Sequence, residues 1–123
     1  MPNSPTHPEL SDALNRLWSQ FLPQMEERVK AIESANQALA AGRLGAEERA
    51  RANAAAHKLA GVLGTFGLTK GTVLAREAEM LFVSESGIDA TTLPRLKEIV
   101  RQLREMIAHR THAPAVEQGS GSN

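Results

Sequence analysis

Cysteine and tyrosine are absent from this 123-residue chain, and its only aromatic rings are three Phe and one Trp. Without cysteine there is no disulfide framework, no Cys-ligated zinc and no thiol nucleophile. That absence suits a reducing compartment. So few rings leave no stacking platform for single-stranded nucleic acid. Neither sign of charge dominates, since Lys plus Arg and Asp plus Glu number 14 each. No bulk field therefore draws the chain to nucleic acid or to an anionic membrane. No apolar run approaches the roughly 20 residues of a membrane span, and the start Met1-Pro2-Asn3-Ser4-Pro5 is not a secretion signal. The expectation is a cytoplasmic domain with no nucleic-acid or membrane partner.

What remains reads as helix. The length suits one domain, able to bury roughly two-thirds of its unfolded surface. Residues 1–8 hold three prolines, and the tail 111–123 ends in Gly119-Ser120-Gly121-Ser122-Asn123; both are expected to be unstructured. Residues 9–110 are rich in Ala, Leu, Glu, Arg and Gln and never alternate with period two, so they form the folded part. Pro23 is expected to end or kink a first helix near Leu22, leaving a short N-terminal segment from about Glu9. A second helix follows over 23–41, with Met25, Val29, Ile32, Asn36 and Leu39 at helical spacing. Gly42 and Gly45 bracket a turn. A third helix runs over 46–66, with Gly67 as a left-handed terminator. A fourth covers 68–84, with Leu74, Ala78, Leu81 and Phe82 as its stripe. The last begins near Thr92, has Pro94 in its first turn, and carries Leu96, Ile99, Leu103 and Ile107. The fold expected is all-α: an antiparallel up-and-down four-helix bundle with a short extra N-terminal helix.

The third helix is unusual. On a wheel with His57 at zero, Ala55, Leu59, Val62, Leu63 and Phe66 fall opposite, a core stripe. Around His57, within roughly 60°, lie Ala50, Asn53, Ala54, Ala60, Gly61 and Gly64. A solvated face normally carries Lys, Glu and Arg, and glycine in a helix costs about 1 kcal/mol against alanine. Two explanations compete. Small residues let a neighbouring helix approach closely, or they keep the imidazole open to an outside partner. On the second reading Lys58 and Arg51, about 100–120° round the wheel, are cations suited to steadying an anionic group. The ordinary alternative is that they only solvate the helix.

The string Ala56-His57-Lys58-Leu59-Ala60-Gly61-Val62-Leu63-Gly64-Thr65-Phe66-Gly67 resembles the signature of histidine-containing phosphotransfer (HPt) domains. It is most similar to the N-terminal phosphorylated domain of chemotaxis histidine kinases, with an A-H-x-[IL]-x-G-x-x-G-T-F-G-[FL] pattern. The likeness extends to about Phe82, roughly a quarter of the chain. It implies a four-helix bundle with His57 as an exposed phosphoacceptor. It implies Lys58 as a stabiliser of the phosphoryl group, because the lysine common three residues after the histidine is replaced by Ala60. Ala54, Ala60, Gly61, Gly64 and Arg51 would form the face that docks a receiver. The resemblance also implies that Glu79, 22 residues after the histidine, orients the imidazole. Helix lengths allow this, since both residues stand about 15 Å from the intervening turn. The alternative is a surface glutamate paired with Arg76 or Lys58.

No phosphate-binding Gly-x-x-x-x-Gly-Lys-[Ser/Thr] loop occurs, because Gly61, Gly64 and Gly67 recur every third residue in and at the end of a helix. The chain should therefore receive a phosphoryl group and pass it on rather than use ATP. No cofactor is expected; Mg²⁺ would come from the acidic pocket of the receiver. His109, His112 and Glu105 make too sparse a set for a metal site, and no metal is expected. Two functions remain open at this point. One is a phosphorelay carrier, a monomer exchanging phosphate between a histidine kinase or hybrid kinase and the aspartate of a response-regulator receiver domain. The other is a bundle that docks such partners without transfer.

Overall fold

The computed structural model describes residues 8–83 and 88–114. Four α-helices carry them: α1 (Pro8–Ala40), α2 (Ala46–Thr65), α3 (Thr69–Val83) and α4 (Leu93–His112), with a 3₁₀ turn (Ala90–Thr92) leading into α4. Contacts between long helices run α1–α2, α2–α3, α3–α4 and α4–α1, a closed ring around one core. The all-α four-helix bundle expected from the spacing is what forms.

Its core is the set of stripes seen in the sequence. Met25, Val29 and Ile32 of α1, Leu59 and Leu63 of α2, Leu74, Ala78 and Phe82 of α3, and Leu96, Ile99, Leu103 and Ile107 of α4 are all buried. Leu39, Val62, Phe66 and Leu81 pack against this cluster from its rim. Asn36, on the α1 stripe, is buried with them. Two glycines end helices as expected. Gly42 (φ +72°) and Gly67 (φ +74°) adopt the left-handed backbone that a side chain disfavours. In each case the next residue reaches back: Arg43 N–H donates to the Ala38 carbonyl at 2.8 Å, and Leu68 N–H to that of Leu63 at 2.9 Å.

The short extra N-terminal helix does not form as a separate element. Pro23 lies inside α1, which is continuous from Pro8 to Ala40. A mid-helix proline removes one backbone hydrogen bond and crowds the preceding turn, at about 3 kcal/mol. Burial on both sides of it overrides that cost: Trp18 and Met25 are buried. The Trp18 ring meets Phe66 edge-on at 5.1 Å. Its Nε1–H donates to Thr111 Oγ1 at 3.0 Å, and Arg110 stacks on it at 5.0 Å. The same contacts correct the other boundary, since α4 continues through Thr111 to His112. Pro8 is likewise helical. Ala113 and Pro114, past the end of α4, are not helical. Residues 1–7 and 115–123 of the two expected unstructured ends, and the expected close of the fourth helix over 84–87, lie outside the described residues.

Candidate functional site

The site is built on the α2–α3 hairpin, the most intimate pair in the bundle. α2 starts at Gly45, whose extended backbone caps it, and Glu47 and Glu48 sit in its positive first turn. Twelve residues in, His57 projects outward, with its side chain 72% exposed. Its Nδ1 lies 2.8 Å from Glu79 Oε2 of α3, a carboxylate only 24% exposed. An ionised carboxylate can only accept, so this contact favours the ring form with its proton on Nδ1. The neutral ring then presents an unprotonated Nε2 to solvent, which is the arrangement a nucleophile needs.

The face around His57 divides into two flanks. With His57 at zero on the wheel, Asn53 and Ala60 lie about 40–60° to one side, and Gly61 and Ala54 about 40–60° to the other. α3 covers the first flank. Asn53 is half-buried, and its Nδ2–H donates to the Glu79 carbonyl at 2.7 Å. Ala60 is 3% exposed, and its carbonyl accepts from Thr72 Oγ1 at 3.2 Å. A methyl added at Gly64 would stand 3.4 Å from that Thr72 hydroxyl. The second flank is open: nothing lies within 4 Å of a Cβ built at Gly61, and Ala54, Lys58 and Arg51 are exposed. Arg51 also stands 4.0 Å from Glu47 one turn back.

This geometry corrects one expected docking residue. Ala60 belongs to the α2–α3 seam and offers no surface, because α3 occupies the side of the wheel it shares with Asn53. Of the two explanations for the small residues, close approach of α3 holds at Ala60 and openness at Ala54 and Gly61, while Gly64 is exposed at the border beside Thr72. The signature string divides in function as well. Its histidine half lines the site, whereas Phe66 packs on Trp18 and Phe21 and Gly67 makes the turn into α3. Thr65 closes the helix by donating to the Gly61 carbonyl at 3.1 Å.

Three features escaped the reading of the sequence. Asn53 was visible as a poor helix former in an alanine run, but not what it holds. Thr72 gave no signal at all. On α3, Val73, Met80 and Val83 are large apolar side chains left exposed. Along the wheel they lie outward from Glu79 with Arg76 among them. An i, i+7, i+10 apolar spacing without a buried partner is the signal that would have found them. Among the described residues, no group of three or more His, Asp or Glu side chains is placed to hold a metal ion. None of the described helices is long and apolar enough to cross a membrane.

Comparison with known proteins gives the family of the chain. The Hpt domain model matches residues 16–112, so the chain belongs to the Hpt family, the histidine-containing phosphotransfer domains of two-component phosphorelays. It is 32% identical over 98 residues to Protein RcaC of Microchaete diplosiphon, an alignment covering 80% of this chain. That alignment covers 15% of RcaC, so the chain corresponds to a small part of that protein. No solved structure matches it significantly.

Proposed function

We propose that this bundle carries a phosphoryl group on Nε2 of His57, exchanging it with the aspartate of a response-regulator receiver domain. One observation carries the reading: an exposed imidazole whose Nδ1 is held at 2.8 Å by a half-buried carboxylate. The Nε2 lone pair attacks phosphorus of an aspartyl phosphate, the P–O bond to the aspartate breaks, and its electrons return to the carboxylate. Glu79 keeps Nδ1 protonated and balances the charge that develops on the ring as the new N–P bond forms. Mg²⁺ in the receiver's acidic pocket neutralises the phosphoryl oxygens during in-line transfer. Lys58 and Arg51 on the open flank assist them. Gly61, Ala54 and Gly64 leave room for the receiver, and the exposed Val73, Met80 and Val83 of α3 extend its apolar footing. A histidine kinase or hybrid kinase stands at the other end of the relay, and the carrier acts as a monomer.

Docking without transfer is the second reading, and Ala60 favours it, because the lysine common at that position in the family is missing. One experiment separates the two. The chain is incubated with phosphorylated receiver domains, and acid-labile, base-stable label is followed on it. Transfer is expected to the native chain and to be abolished in His57→Gln at unchanged helicity. Equal labelling of that variant would remove His57 from the role; receiver binding without any label would establish the docking reading.

A further inference from the structure

The most telling arrangement outside the acceptor pair is a cross-helix tie that touches neither nitrogen of His57. Asn53 sits one turn before the histidine, in the run Ala52-Asn53-Ala54-Ala55-Ala56. Asparagine is among the poorer helix formers, and alanine is the best. A helix this rich in alanine has no local need for Asn53. Its half-buried amide crosses to α3 and donates to the backbone carbonyl of Glu79 at 2.7 Å. Glu79 stands four residues before the end of α3 at Val83, in the turn where helices fray. Its carboxylate therefore depends on a terminal turn for its position. Asn53 fastens that turn to the middle of α2. At the opposite end of α3, Thr72 donates to the Ala60 carbonyl at 3.2 Å. The two ties bracket the His57–Glu79 contact and fix the register of the hairpin around it.

We infer that Asn53 is a positioning residue for the acceptor site: it holds the Glu79 main chain so that the carboxylate keeps the proton of His57 on Nδ1. The inference rests on the carrier reading only for its kinetic consequence. A carboxylate near a helix end whose main chain is not tied to the facing helix samples more geometries than one whose main chain is. Misplacement by an ångström in such a constellation costs as much as a hundredfold in rate. Asn53 acts through Glu79, so its effect should vanish where Glu79 has already lost its charge.

The test uses the whole chain and two readouts. Ring-nitrogen correlation spectra of ¹⁵N-labelled protein report which nitrogen of His57 bears the proton, with His57→Gln assigning its signals among the four histidines. The native ring should carry it on Nδ1. Asn53→Ala, a favourable change for helix formation, should move the neutral ring toward the Nε2–H form. Asn53→Asp keeps the shape but has no N–H to donate, and it should move the ring at least as far. Phosphoryl uptake from a phosphorylated receiver should slow roughly tenfold in Asn53→Ala. Adding Asn53→Ala to Glu79→Gln should slow it no further, because the two changes act through one contact. A native-like tautomer in Asn53→Asp, or fully multiplicative rates in the double variant, would overturn the positioning role. The tautomer readout is independent of the relay. A tautomer sensitive to Asn53 in a chain that never takes up label supports the positioning while sinking the carrier reading. Normal labelling with a tautomer indifferent to Asn53 does the reverse.

Discussion

Gly61 and Ala60 are neighbours in the chain and opposite in circumstance. A Cβ at Gly61 meets nothing within 4 Å, and its backbone is ordinary helix without a positive φ. Gly61→Ala should therefore stabilise the bundle by about 0.5–1 kcal/mol, a rise of roughly 2–5 °C in thermal melting. Gly61→Gln should melt no lower than the native chain yet slow phosphoryl uptake, since the longer side chain would stand where the receiver docks. A large drop in melting temperature for Gly61→Gln would contradict the open flank. Gly71 is the internal comparison. There a new Cβ would press on Leu63 Cδ1 and Met106 Sδ, each at 3.0 Å, so Gly71→Ala should gain less than Gly61→Ala. The wheel placed Ala60 and Gly61 symmetrically about His57, and nothing in the residues told which side α3 would take. The Glu79 contact was legible only because the family signature fixes its offset. Asn53 and Thr72 act on backbone carbonyls, which leave no pattern in a sequence.

At the level of the helix, α1 shows a local rule overridden by tertiary burial. Pro23 is exposed, so its ring fills no core position and its cost to the helix is uncompensated at that residue. Pro23→Ala restores a backbone donor and should stabilise the protein by about 1–2 kcal/mol, the helical gain offset in part by a freer unfolded chain. Calorimetry checks this, and an unchanged or lower melting temperature would mean that Pro23 contributes to the seating of Trp18. The stripes of α2, α3 and α4 were readable because apolar spacing at 3.6 residues repeats over three turns or more. Gly42 and Gly67 were readable because few residues but glycine take the left-handed corner. The continuity of α1 was not, because the contacts that hold Trp18 come from Phe66, Arg110 and Thr111, all distant in the chain. The 3₁₀ turn before α4 was also missed. It is set by Asp89, whose carboxylate caps Thr91 N–H at 2.9 Å and is held below its usual range by the Thr91 hydroxyl first and backbone donors after it.

Across the whole molecule, the ring of helices is fastened at its surface by carboxylate–guanidinium pairs that cross between elements. Arg95 of α4 grips Glu77 of α3 through two hydrogen bonds of 2.6 Å, and Arg104 of α4 reaches Glu33 of α1. Within α4, Arg101 and Gln102 hold Glu98 down to about 2. The Arg95 hydrogen bonds hold the Glu77 carboxyl below the usual range as well, against a smaller opposing effect of burial. A carboxylate held down in the folded chain contributes stability at any pH above its unfolded value of about 4.3. That contribution fades as pH falls through the lower folded value, because the unfolded chain takes up the proton first. Bridging α3 to α4 makes Glu77 the more informative of the two. Glu77→Gln should lower the melting temperature slightly at neutral pH, and added salt should narrow the difference, since the pair is partly exposed. Below the folded value both chains carry a neutral group there, and their melting curves should converge. A gap that persists unchanged at low pH would show that Glu77 holds α3 to α4 by packing rather than by its charge.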